Sequence, residues 1–199
     1  MKLFYSPASP YARKVRVVLA EKRIDCELVL ISPPYPIAEH NPLGKVPTLL
    51  LDDGSSLYDS RVIVDFLDNV SPIARLIPDD HRDRAAVRRW EALADGVLDA
   101  ALLVRQESQR PATGDGEEWI RRQMDKIERG LTVISDDMSV RQWCHGERYS
   151  LADIALGCCL GYLDFRRPGG TDWRARWPGL APYHDRLLER PAFGETVPR

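Results

Sequence analysis

The chain has 199 residues, 44% of them hydrophobic, and its 28 basic and 30 acidic side chains give a formal net charge of -2. That is enough apolar material for one large domain or two small ones with packed cores. The charges are interspersed, so no one-signed stripe marks a nucleic-acid or membrane surface, and no stretch approaches the roughly 18 apolar residues of a membrane span.

Charged residues soon after Met1 leave no signal-peptide core, which predicts a cytoplasmic protein. Cys26, Cys144, Cys158 and Cys159 form no Cys-x-x-Cys pair and read as isolated reduced thiols. His40, His81, His145 and His184 do not join them at zinc-ligand spacing, so no metal is expected.

In chain order, Lys2–Tyr5 is a short β-prone run stopped by Ser6-Pro7. A helix follows, with Ser9 as N-cap, Pro10 in its first turn, and Tyr11, Val15, Val18 and Leu19 at helical spacing before Lys22. Cys26–Ile31 reads as a second strand, and the proline-rich segment 32–36 as an irregular connection. Thr48–Leu51 and Ser55–Tyr58 flank the turn Asp52-Asp53-Gly54 as an antiparallel hairpin, and Ser60–Asn69 is helical. The order is βαβ, then ββα.

Pro72, Pro78 and the charged run Asp79–Arg84 read as a linker, after which every segment has a helical period. A long helix carries Ala86, Trp90, Leu93, Val97, Ala101 and Val104 on one face and ends near Gln109, before a polar loop at 111–116. Trp119–Met138, Ser150–Tyr162 and Pro178–Glu189 supply further helices. The expected division is a domain at 1–75, a linker at 76–84 and an all-α bundle at 85–199.

Three short motifs sit at element junctions. Ser9-Pro10-Tyr11-Ala12 looks like the glutaredoxin Cys-Pro-Tyr-Cys with both cysteines replaced, which removes dithiol exchange as a mechanism. What is left is a hydroxyl on a helix N-terminus, able either to cap its own helix or to donate to a thiolate. The run 41–50, Asn-Pro-Leu-Gly-Lys-Val-Pro-Thr-Leu-Leu, puts Pro47 directly before a strand. A cis Val46–Pro47 bond there would offer the Val46 backbone to an extended peptide ligand, with Lys45 offering charge to a carboxylate; a plain Pro-Gly loop is the alternative. In Tyr58-Asp59-Ser60-Arg61, Asp59 or Ser60 caps the next helix, and the pair also suits the carboxylate and ammonium of an amino-acid group.

Together, in this order, these motifs resemble the glutathione S-transferase superfamily along essentially the whole chain. The Ser-Pro-Tyr start of the first helix is similar to serine-type members, either small bacterial or tau-like. The resemblance implies an α+β two-domain fold, with a thioredoxin-like N-terminal domain (βαβ-ββα, mixed sheet) and an all-helical C-terminal domain. It further implies that Ser9 is catalytic as the thiolate-stabilising residue, with Ser6 as a competing serine. Glutathione would be bound as co-substrate by Ser9, Tyr11, Lys45, Val46, Pro47, Asp59 and Ser60.

Tyr11, Val104 and Tyr162 are candidates for a second-substrate pocket. Asp95 is a candidate acid reaching across a dimer interface, and His40 a candidate contact for the glycyl carboxylate. The Ser150-Leu151-Ala152-Asp153 run is a capping box and reads as structural. The implied protein is a homodimeric transferase that conjugates glutathione to a small hydrophobic electrophile, with peroxidase side activity. The alternative is a non-catalytic glutathione sensor or a protein-interaction scaffold.

Overall fold

A computed structural model describes residues 1–33 and 36–199 of the chain. The expectation of an irregular connection at 32–36 falls partly on Pro34 and Tyr35, which lie outside the described residues. The described residues divide into two units, one of Met1–Ile77 with Arg190–Arg199 and the other of Pro78–Glu189.

In the first unit, β1 (Lys2–Tyr5) is parallel to β2 (Glu27–Leu30), and α1 (Pro10–Glu21) makes the crossover that a parallel pair requires. Strand β2 is shorter than its apolar run because its partner stops at Ser6-Pro7, and Leu30 opposite Tyr5 is its last paired residue. Strand β3 (Thr48–Leu50) pairs antiparallel with the other side of β1. Its hairpin partner β4 (Ser56–Leu57) closes around Gly54, whose φ of 86° needs a residue without a Cβ. The sheet order is therefore β2-β1-β3-β4, a mixed sheet as expected.

Leu3 and Leu49 face each other in the ladder. Both are fully buried, as are Val15, Val18, Ile63 and Leu67 from α1 and α2 (Ser60–Val70), so the helices seal one core with the sheet.

In the second unit, α3 (His81–Glu107) packs against both α4 (Gly114–Met138) and α5 (Leu151–Arg166). Helix α5 is buried at every position from Leu151 to Leu163, the signature of a helix apolar on all sides at the centre of a bundle. Gly130 of α4 is the close-approach point. A Cβ there would lie 2.5 Å from Val97 Cγ2 of α3. The short helices α6 (Trp173–Arg176) and α7 (Ala181–Leu188) complete this unit.

The expected boundaries differ from the structure in two places. Residues 76 and 77 are not linker: Leu76 and Ile77 are buried, and their N–H groups donate to the two carboxylate oxygens of Asp68 at 2.9 and 3.0 Å. Residues 190–199, assigned by the sequence reading to the helical domain, instead cluster with the first unit. There α8 (Pro191–Gly194) packs on α1, and Arg190 makes two 2.8 Å bonds to the Glu21 carboxylate.

Candidate active site

Strand register decides which junctions meet. Phe4 pairs with Thr48 in an antiparallel ladder, so the chain leaving β1 toward Ser9 runs beside the chain entering β3 from Lys45. Leu49 pairs with Leu57, also antiparallel, so the exit of β4 toward Asp59 and Ser60 lies beside that same entry. All three motifs thus open on one end of the sheet, and the N-termini of α1 and α2 open there too. Two sets of N–H groups without intrahelical partners, each at the positive end of a helix dipole, make this edge favourable to anionic groups.

Ser9 is the N-cap of α1, in extended backbone (φ -83°, ψ 119°), with its Oγ accepting from the Ala12 N–H at 3.2 Å. Its own N–H donates to the Ser6 carbonyl at 3.0 Å, and its carbonyl receives the Arg13 N–H at 2.9 Å. The capping bond uses an acceptor lone pair of the hydroxyl. The O–H hydrogen remains a donor, so capping and donation to a thiolate are compatible at one residue. Ser6 is buried and shapes the turn that presents Ser9. Tyr11, in the first turn of α1, is half-buried.

The Val46–Pro47 peptide bond is cis. Two residues that the sequence reading did not single out shape this loop: the Lys45 carbonyl accepts from Asn41 Nδ2 and from Thr48 Oγ1, both at 2.9 Å. Asn41 is buried, and its Oδ1 takes the Leu43 N–H at 3.0 Å. The amide therefore bridges both sides of the turn. Its signal in the sequence was the Asn-Pro pair opening a turn followed three residues on by Lys45-Val46-Pro47. The Lys45 side chain is exposed and Val46 half-buried.

Asp59 caps α2, with Oδ1 accepting from the Arg61 N–H at 2.9 Å, and Ser60 behind it is 3% exposed. The Tyr58–Asp59 peptide bond is also cis. His40 stacks on Phe4 with ring centroids 5.2 Å apart, which places it near the same edge.

The remaining candidates lie in the second unit. Val104 and Tyr162 are each 1% exposed, and burial pushes the Tyr162 hydroxyl up from its ordinary pKa against the opposing charges of Arg166 and Arg105. Asp95 is 2% exposed, so it is not displayed as a surface acid for a second subunit. Ser150 and Asp153 form the expected capping box. Asp153 does more than cap: its Oδ1 also accepts from the Cys144 N–H and the Tyr183 hydroxyl, both at 2.9 Å.

No cysteine is set up as a nucleophile. All four are free, and burial raises the thiols of Cys26, Cys144 and Cys159 above their ordinary range, away from the thiolate form. Among the described residues no group of three or more His, Cys, Asp or Glu is placed to hold a metal ion. No described helix is long and apolar enough to cross a membrane.

Comparison with known proteins gives this edge a context. The family described as glutathione S-transferase, N-terminal domain, matches residues 3–73, and glutathione S-transferase, C-terminal domain, matches residues 117–186. The chain is 36% identical to the uncharacterized GST-like protein YibF of Escherichia coli K12, covering 100% of this chain and 98% of that protein.

Among solved structures, a glutathione S-transferase from Methylobacillus flagellatus KT with glutathione bound is 53% identical. It superposes with a TM-score of 0.95 over 100% of this chain and 99% of that one. A glutathione S-transferase from Methylobacterium radiotolerans in complex with glutathione sulfonate is 44% identical, with a TM-score of 0.92 over 99% and 94% of the two chains. Matches of this length and identity, on a sheet edge where two helix N-termini and a cis-proline loop meet, show that the chain belongs to the glutathione S-transferase family.

Proposed function

We propose that this protein binds glutathione along the shared sheet edge and uses it as a nucleophile toward a small hydrophobic electrophile. The carrying observation is Ser9, whose hydroxyl caps α1 while keeping a donor for a sulfur. Lys45 offers charge to a carboxylate, the Val46 backbone pairs with the peptide, and Asp59 and Ser60 hold the ammonium and carboxylate of the γ-glutamyl end. Relatives at 53% and 44% identity that hold glutathione and glutathione sulfonate support the ligand.

Glutathione's thiol, near the reference cysteine value of about 8.5, is mostly protonated at neutral pH. Donation from Ser9 Oγ and the field of the α1 N-terminus stabilise the thiolate, and the thiol proton passes to solvent. A sulfur lone pair then forms the new C–S bond as the electrophile's leaving group departs with its bonding pair, or as an activated double bond takes up a proton. In the peroxidase side activity of this reading, the same thiolate attacks a peroxide oxygen, and the O–O bond breaks with its pair leaving on the alkoxide, which takes up a proton. A second glutathione reduces the resulting sulfenic acid to the disulfide with loss of water.

The test is the ultraviolet absorbance of bound thiolate titrated against pH. Ser9→Ala should raise the thiol's pKa while glutathione still binds, and an unchanged titration would remove Ser9 from the mechanism. Tight binding without turnover on any electrophile would favour a sensor, and absence of binding a scaffold.

The protein acts as a homodimer in this reading. Val62 and Val70, each 48% exposed and two turns apart on α2, are apolar side chains that a second copy would cover. Val62→Glu should shift the sedimentation of a dimer toward the monomer.

A further inference from the structure

Arg13 stands one helical turn after Ser9, and its guanidinium is buried, at 1% exposure. Its donors leave α1 for the C-terminal tail of the chain. Nη2 donates to the Phe193 carbonyl at 3.2 Å and Nε to the Thr196 hydroxyl at 3.4 Å, while the guanidinium carbon lies 5.4 Å from the centroid of the Phe193 ring. Thr196 is itself fixed, its Oγ1 donating to the Ala192 carbonyl at 2.7 Å. Further along α1, Arg16 donates to the Glu195 carbonyl at 3.4 Å, and Glu21 in the last turn takes the two bonds from Arg190. The tail therefore grips α1 at its first, middle and last turns.

Filling the space beside α8 would not require a charge. A leucine or methionine would do so without the desolvation that a buried guanidinium incurs. What arginine adds is direction: bonds at fixed angles from the first turn of α1 to two points on the tail restrict the helix against sliding and rotation. Such motion carries the Ser9 hydroxyl with it, because the Arg13 N–H closes the turn on the Ser9 carbonyl at 2.9 Å.

We infer that residues 190–199, acting through Arg13, set the position of the Ser9 hydroxyl against the glutathione sulfur, making Arg13 a positioning residue of the thiolate site. This rests on the reading of Ser9 given above. A displacement of an ångström at a reacting centre costs up to about a hundredfold in rate.

The experiment compares Arg13→Met and Thr196→Val with the unsubstituted chain, measuring glutathione affinity by calorimetry, bound-thiol ionisation by absorbance, kcat against pH, and Tm. The expected result is a thiol pKa higher by about one pH unit, and a kcat about tenfold lower below that pKa that recovers as pH rises. Glutathione Kd measured below the native bound-thiol pKa should stay within about twofold, and above it should weaken by up to about tenfold, as linkage to the raised pKa requires. Thr196→Val should show a smaller change in the same direction, and it decides the matter if Arg13→Met does not fold.

A lowered Tm with native thiol ionisation and a native pH profile would overturn the proposal, since a merely structural tail predicts that outcome. A parallel loss of Kd and kcat with no change in pH profile would also overturn it. Ser9→Ala is run alongside. If it leaves the titration unchanged, the reading of Ser9 fails; if it moves the titration and the Arg13 and Thr196 variants do not, only the positioning role fails.

Discussion

The Lys22 ammonium lies 2.9 Å from the Asp68 carboxylate inside the first unit, with the two side chains 0% and 2% exposed. Lys22 also donates to the carbonyls of Asp68 and Ala74, and Asp68 receives the N–H groups of Leu76 and Ile77. One acidic side chain thus anchors both α1 and the segment that leaves the unit.

Asp68→Ala strands a buried ammonium and two buried N–H groups, and should cost about 3 to 5 kcal/mol. Urea unfolding with the native m-value checks this. A loss under about 1 kcal/mol would mean the network is dispensable.

Ser9 has two separable jobs. Ser9→Ala should cost about 1 kcal/mol as a lost N-cap, in addition to its effect on the bound thiol. Ser9→Asp keeps a capping acceptor but brings a negative charge toward the sulfur, so it should hold Tm near native while thiolate formation is lost. Recovery of thiolate formation in Ser9→Asp would show that the cap, and not the donor, matters.

Asp153 serves the Ser150 end of α5, the Cys144 N–H and the Tyr183 hydroxyl. Asp153→Ala should lower stability by about 3 kcal/mol or more, because several buried donors lose one acceptor together. Tyr183→Phe removes a single bond and should cost about 1 to 2 kcal/mol. Equal losses from the two variants would contradict a shared acceptor.

The buried acids of the second unit give an alkaline signature. Burial is the largest cause raising Cys144, Cys159 and Tyr183, with nearby Asp153 or Asp95 adding to it. Each stays protonated in the folded chain. The unfolded chain releases these protons from about pH 8.5 for thiols and about pH 10 for the phenol, so it binds fewer protons than the folded state above those values. Their contribution is complete below about pH 8 and is lost as pH rises toward the folded values. Urea midpoints at about pH 7 and about pH 9.5 should differ, and Cys159→Ala should flatten the difference. An unchanged slope would locate the alkaline effect elsewhere.

The elements that were legible in the sequence are those whose ends carry local chemistry. Ser6-Pro7 ends β1, Ser9-Pro10 starts α1, and Asp52-Asp53-Gly54 makes the hairpin turn, all decided within a few residues. The site motifs were legible for the same reason, being caps and turns. Helix α3 begins at His81 because Asp80 accepts from the N–H groups of Arg82 and Asp83, although the charged run 79–84 reads as linker. Helix α4 begins at Gly114, its cap Thr113 accepting from Gly116 N–H within what reads as a glycine-containing loop. The docking of residues 190–199 was not legible, because Arg13 finds Phe193 across 180 positions and no periodicity records such a pairing.

That docking also orders events in time. During synthesis the first 77 residues emerge early, but the acceptors for Arg13 and the cation for Glu21 belong to residues 190–199. The unit carrying Ser9 is complete only once residues 190–199 have been made. A frameshift, an early stop or a proteolytic nick that removes residues 190–199 would therefore damage the unit that carries Ser9, far from the lesion in sequence.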